Sequence, residues 1–100
     1  MRRYELHDEL VSILGSNNVY FQPPESIKIK YPCFIYNLDK IDTKKASSTL
    51  YKADTRYSLT YISTDPDNDM ASVLLKLPYC AFDRRYVSDN LYHDVYTIFY

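Results

Sequence analysis

Apolar residues near the start of the chain recur at helical spacing. Leu6, Leu10, Ile13 and Leu14 follow one another at steps of four, three and one, which predicts a helix over 4–14 with one buried stripe. Gly15 stands where a left-handed C-terminal cap is wanted, and Ser16-Asn17-Asn18 is turn material. Val19-Tyr20-Phe21 reads as a short strand stopped by Pro23-Pro24, and Pro32 leads into the next one after a loop. Residues 33–41 alternate, with Phe34, Tyr36 and Leu38 on one face. Residues 56–63 match them with Tyr57, Leu59 and Tyr61. The intervening segment 42–54 contains neither glycine nor proline, so it predicts a long protruding hairpin arm with a mobile tip and not a tight turn.

Asp65-Pro66-Asp67-Asn68-Asp69 has the composition of a helix start. Asp65 is placed as N-cap and Pro66 at the first helical position, with Met70, Val73, Leu74 and Leu77 as the buried stripe and Pro78 as the stop. Two more strands are expected over 79–86 and 92–100, joined through 87–91, with the last one packed and not a tail. The pattern predicts a single α+β domain over 1–100. It has a mainly antiparallel sheet, two helices packed on one face and the hairpin arm.

Composition changes this picture in one respect. Twelve of the 100 residues are tyrosine and one is glycine. Phosphate and nucleotide sites lean on glycine for close backbone approach, whereas tyrosine is enriched where proteins touch proteins. The balance therefore points to an assembly component over an enzyme. A net charge of −1 and a pI near 6.0 supply no global attraction to nucleic acid or anionic membrane. No apolar run reaches the length of a membrane span, and Met1-Arg2-Arg3-Tyr4-Glu5 reads as a helix start and not as a signal peptide. Cys33 and Cys80 lie in strand-like apolar runs and are expected to be buried, inert thiols of a reducing compartment.

Candidate chemistry is sparse. Asp65, Asp67 and Asp69 occupy positions one, three and five of a calcium loop. The sixth position is Met70 where glycine is needed, and the twelfth is Lys76 where a bidentate glutamate belongs. His7, expected on the polar side of the first helix, and His93 show no spacing that would join them to a cysteine as a catalytic pair or a zinc site. No catalytic, metal or cofactor-binding residue is assigned. The hairpin is the one charged feature: Lys40, Lys44, Lys45, Lys52 and Arg56 face only Asp42 and Asp54 between residues 40 and 56. Three readings stay open for it: a solvated loop, contact with an acidic partner surface, or contact with nucleic acid through interleaved Tyr51 and Tyr57.

Five stretches carry a family resemblance. They are Leu6-His7-Asp8-Glu9-Leu10 running into Ile13-Leu14-Gly15, Val19-Tyr20-Phe21-Gln22-Pro23-Pro24 and Tyr31-Pro32-Cys33-Phe34-Ile35-Tyr36. Tyr57-Ser58-Leu59-Thr60-Tyr61-Ile62 with Asp65-Pro66-Asp67, and Asp89-Asn90-Leu91-Tyr92-His93-Asp94-Val95-Tyr96, complete the set. Across nearly its whole length the chain resembles the tail-terminator or head–tail joining proteins of long-tailed bacteriophages. The resemblance implies a structural virion protein, assembled in the bacterial cytoplasm and residing at the tail–neck junction. Such a protein forms a hexameric ring, caps the tail tube, stops its polymerisation and joins it to the head. Its partners would be further copies of itself, the tube protein and a neck or head connector, with the genome passing through the lumen. A neck connector is the alternative within that class, and a small nucleic-acid-binding module the alternative outside it. On this reading Lys44, Lys45, Lys52 and Tyr51 are the partner contacts. Asp65, Asp67 and Asp69 are the acidic surface they would meet on a neighbour.

Overall fold

The computed structural model describes residues 2–45 and 51–100, with side chains described over 3–41 and 55–100. Elements follow in the order α1 (Arg2–Leu14), β1 (Val19–Phe21), β2 (Cys33–Lys45), β3 (Tyr51–Ser63), α2 (Met70–Leu74), β4 (Cys80–Ser88) and β5 (Leu91–Phe99). The five strands form one sheet in the order β1-β2-β3-β5-β4. Only β1 against β2 is parallel; the other neighbours are antiparallel. The fold is α+β and mainly sheet, with both helices contributing to a single core on one face. Leu6 and Leu10 of α1 and Leu74 of α2 pack with Phe34, Tyr36, Leu59, Tyr96 and Ile98.

Local signals explain most of these elements. Gly15 adopts φ 77° and ends α1, its N–H donating to the Val11 carbonyl at 2.9 Å. Asp89 and Asn90 both take positive φ, 53° and 63°, which makes the β4–β5 connection a tight two-residue turn and not the longer loop expected. The second helix also departs from expectation. It begins at Met70 with Asp69 at the cap position and no side-chain cap, so Asp65 is not its N-cap. Asp65 instead accepts the Asp67 N–H at 2.9 Å, the side-chain turn that aspartate offers as a rival to helix initiation. With so short a helix, Leu74 is buried but Val73 faces solvent.

Four of the twelve tyrosines are used inside the subunit. Tyr36, Tyr57, Tyr61 and Tyr96 are core residues. Their rings interlock at tilted and edge-on angles, as in Tyr36 with Tyr57 at 6.0 Å and Phe82 with Tyr96 at 5.4 Å. Helix α1 supplies polar partners for three tyrosine hydroxyls of the sheet and its flanks. Tyr36 accepts from Arg3 Nη1 at 3.3 Å and lies 2.7 Å from His7 Nδ1, so His7 faces the sheet and not the polar side of the helix. The Glu9 carboxylate accepts from Tyr79 and from Tyr100. Arg3 also stacks its guanidinium 4.2 Å from the centre of the Phe21 ring.

Tyr96 is the contrast, because its hydroxyl is buried without a hydrogen-bond partner among the described residues. Burial pushes its phenol up to about 12. Two phenylalanine substitutions should therefore move stability in opposite directions. Tyr36→Phe removes bonded partners and should cost about 1 kcal/mol, whereas Tyr96→Phe removes an orphaned hydroxyl and should be neutral or stabilising by about 1 kcal/mol. Urea denaturation of the two variants checks this ordering.

Candidate functional site

The residues singled out for their charge lie at the two ends of the β2–β3 strand pair. At one end the register runs Asp42 opposite Asp54, Lys44 opposite Lys52 and Lys45 opposite Tyr51. Directly opposed residues share a face, and so do residues two apart along a strand. Rows Lys40/Arg56, Asp42/Asp54 and Lys44/Lys52 therefore follow one another on one face. The strands carry this pairing beyond the 41 and 56 boundaries read from periodicity. Residues 46–50, where the mobile tip of the expected arm falls, lie outside the described residues, as do the side chains of Lys44, Lys45, Tyr51 and Lys52. The protruding arm itself is not established.

At the other end, β2 begins beside the end of β3, with Cys33 opposite Ile62. Here Tyr31, Pro32, Tyr61, Ser63, Asp65 and Asn68 line an open cleft of about 180 Å³. Its acidic wall is held firmly. Asn68 donates through its side-chain amide to the Asp65 carbonyl at 3.0 Å and to Asp94 Oδ2 at 3.2 Å, while Ser63 Oγ donates to the Asp65 carbonyl. Arg85 reaches across from β4, paired through Nε and Nη2 with both Asp94 oxygens and donating through Nη1 to the Pro66 carbonyl at 2.8 Å. Asp67 and Asp69 are exposed, and their carboxylates make no hydrogen bond or ion pair among the described residues.

The structure thus gathers Asp65, Asp67 and Asp69 at one end and Lys44, Lys45, Lys52 and Tyr51 at the other, without bringing the two groups together. From the Lys44/Lys52 row to Ser63 is eleven residues of β3, about 36 Å at the usual rise of a strand. The long axis of the molecule is 51 Å. Tyr61 lies four residues before Asp65, whereas Tyr31 is thirty residues before Tyr61 and is brought to it by the β2–β3 pairing.

Other chemistry finds no common place. Both thiols are free. Cys33 is buried and Cys80 half-buried, a correction to the expectation that both lie fully inside, and burial pushes each up to about 11. Cys33 and His93 flank Ile62 on adjacent strands, so they stand two strand spacings apart, about 10 Å, too far for proton transfer. His93 stacks on Tyr86, the rings 4.6 Å apart. Among the described residues no three His, Cys, Asp or Glu side chains form a set that could hold a metal ion, and no helix is long and apolar enough to cross a membrane. No protein-family model and no curated protein matches this chain.

The Arg85–Asp94 pair generates a test of how the acidic end is built. Asp94 is only 2% exposed, and the Arg85 guanidinium holds its carboxyl below the usual carboxylate range despite burial. A depressed carboxylate lends stability that is present above its unfolded pKa, near 4, and is lost as pH falls through the lower folded value. Arg85→Ala leaves a buried charge with only Asn68 to satisfy it and should cost about 3 kcal/mol at pH 7. Asp94→Asn leaves an arginine that can turn to solvent, should cost less, and should flatten the acid limb of stability against pH. Thermal unfolding between about pH 2 and 7 reads both effects.

Proposed function

We propose that this chain is a ring-forming structural subunit of a phage tail, the terminator that caps the tail tube and joins it to the head. One observation supports the reading: a strand pair has a lysine-rich row at one end, and three aspartates follow it at the other, with about 36 Å of β3 between the lysine row and Ser63. One molecule cannot pair those ends with each other. A row of copies can, each placing its basic end on the acidic end of the next. Such head-to-tail contacts use two different surfaces, and they close into a ring when the rotation between neighbours allows it.

Termination follows from the shape of a ring and requires no catalysis. One face of the ring matches the last layer of the tube. The other face does not repeat that surface, so the next tube subunit finds nothing complementary and growth ends. That second face is left for a neck or head connector. The chain then works at the tail–neck junction of the virion, beside a genome that passes without being read.

The reading predicts a discrete closed particle. Six copies of the 11.9 kDa chain give ~71 kDa by native mass spectrometry, with a ring outline in negative stain. Association should weaken as salt rises, because exposed charge pairs are screened. A stable dimer of ~24 kDa with a buried two-fold interface would contradict the reading, because isologous contacts do not generate rings of this kind.

A further inference from the structure

We propose that the Tyr31–Tyr61–Asp65 cleft is a receptor for a lysine side chain delivered by the β2–β3 strand pair of a second copy of this chain. The inference rests on the head-to-tail reading above and names the contact that reading lacks.

The cleft has the size and chemistry of a side-chain socket. At about 180 Å³ it falls below the ~300–1,000 Å³ typical of small-molecule sites. Its entrance is Tyr31, 47% exposed, and its inner wall is Tyr61, 7% exposed. Tyrosine rings attract a cation placed against their faces, more strongly once water is excluded. The Tyr61 hydroxyl makes no hydrogen bond with any described residue although the residue is more than nine-tenths buried. Tyr61 lines the cleft, and its hydroxyl can accept a hydrogen bond from an ammonium donor that arrives there. Asp65 supplies the charge. Its Oδ1 is occupied by the Asp67 N–H, which leaves Oδ2 for an incoming donor. Burial first, then Asp65 and Asp94, hold the Tyr61 phenol proton more tightly than usual. Arg85, the cation bound to Asp94, is engaged there and on the Pro66 carbonyl.

The donor is argued from what the chain itself offers. A narrow cleft suits a compact ammonium on a flexible four-carbon stem better than a planar guanidinium. Arg56, the arginine of the hairpin strands, is paired with Asp39 at 2.9 Å. Lys40 already has an interaction within the molecule, and Lys44, Lys45 and Lys52 cluster at the far end of the same strands. Their distance of about 36 Å from the cleft along β3 means that only a neighbour's lysine can enter.

The experiment uses the full-length chain at assembly concentration, mixed from unlabelled and ¹⁵N-labelled protein. A carbodiimide joins carboxylates to amines only where they touch, and peptide mass spectrometry of labelled–unlabelled pairs reports contacts between copies. The expected result is an Asp65 link to Lys44, Lys45 or Lys52 between differently labelled copies. Asp65→Asn and Tyr61→Phe, which keep shape and ring, should each weaken association by about tenfold as measured by sedimentation. Tyr61→Phe also reports independently of charge, through the lost acceptor. Wild-type association in both variants with no Asp65–lysine link overturns the socket while leaving the ring reading standing. A link from Asp65 to Lys28, Lys30 or Lys76 overturns the assigned donor. Failure of the wild-type chain to associate at all overturns the ring reading, and the socket with it.

Discussion

The structure depends on how a sheet surface built from tyrosine disposes of its hydroxyl groups. Phenylalanine in these places would need only apolar cover. Tyrosine needs cover and a polar partner at a fixed distance from the sheet, because a buried hydroxyl left without one is penalised. Helix α1 meets both needs. Leu6 and Leu10 provide the cover, while Arg3, His7 and Glu9 reach Tyr36, Tyr79 and Tyr100. This fixes the roll and the axial position of the helix together, since no single rotation of α1 would keep the Tyr36 and Glu9 contacts if either moved.

The same strands that carry this tyrosine surface also set the polarity of the molecule. The β2–β3 ladder is continuous from Cys33↔Ile62 to Lys45↔Tyr51 apart from a bulge beside Leu38. It therefore separates two ends of opposite charge. At the acidic end, Arg85 and Asn68 tie the 65–68 loop to the sheet through Asp94, so the carboxylates project from a braced loop. Prearranged charge of this kind steers association and penalises wrong partners more than it adds affinity.

Much of the fold is legible in the sequence. The Leu6/Leu10 stripe, Gly15, the Val19–Phe21 strand and the Tyr57/Leu59/Tyr61 face all follow from local periodicity and one glycine. What escapes is non-local or competitive. His7 looks polar-facing because its partner Tyr36 is 29 positions away. Asp65-Pro66 has the composition of a helix cap, but the Asx turn to Asp67 uses the same carboxylate first. The polar rows of 42–45 and 51–54 hide the outer part of the ladder, since alternation of like with like leaves no hydrophobic trace. The tyrosine count suggests contact surface, yet several of those rings lie in the core. The charged residues of the candidate site were visible individually. Their placement at opposite ends, and the cleft joining Tyr31, Tyr61 and Asp65, come only with strand register.

The central claim is that the two charged ends are complementary halves of one heterologous contact. Mixing two half-disabled chains tests it most directly. One carries Lys44, Lys45 and Lys52 changed to glutamine; the other carries Asp65, Asp67 and Asp69 changed to asparagine. Each alone keeps one working end with no partner and should stay monomeric by sedimentation. Mixed, the intact acidic end of the first and the intact basic end of the second should give a one-to-one dimer that grows no further. Assembly of either variant alone to the wild-type size, or no association in the mixture while the wild-type chain associates, would contradict the account.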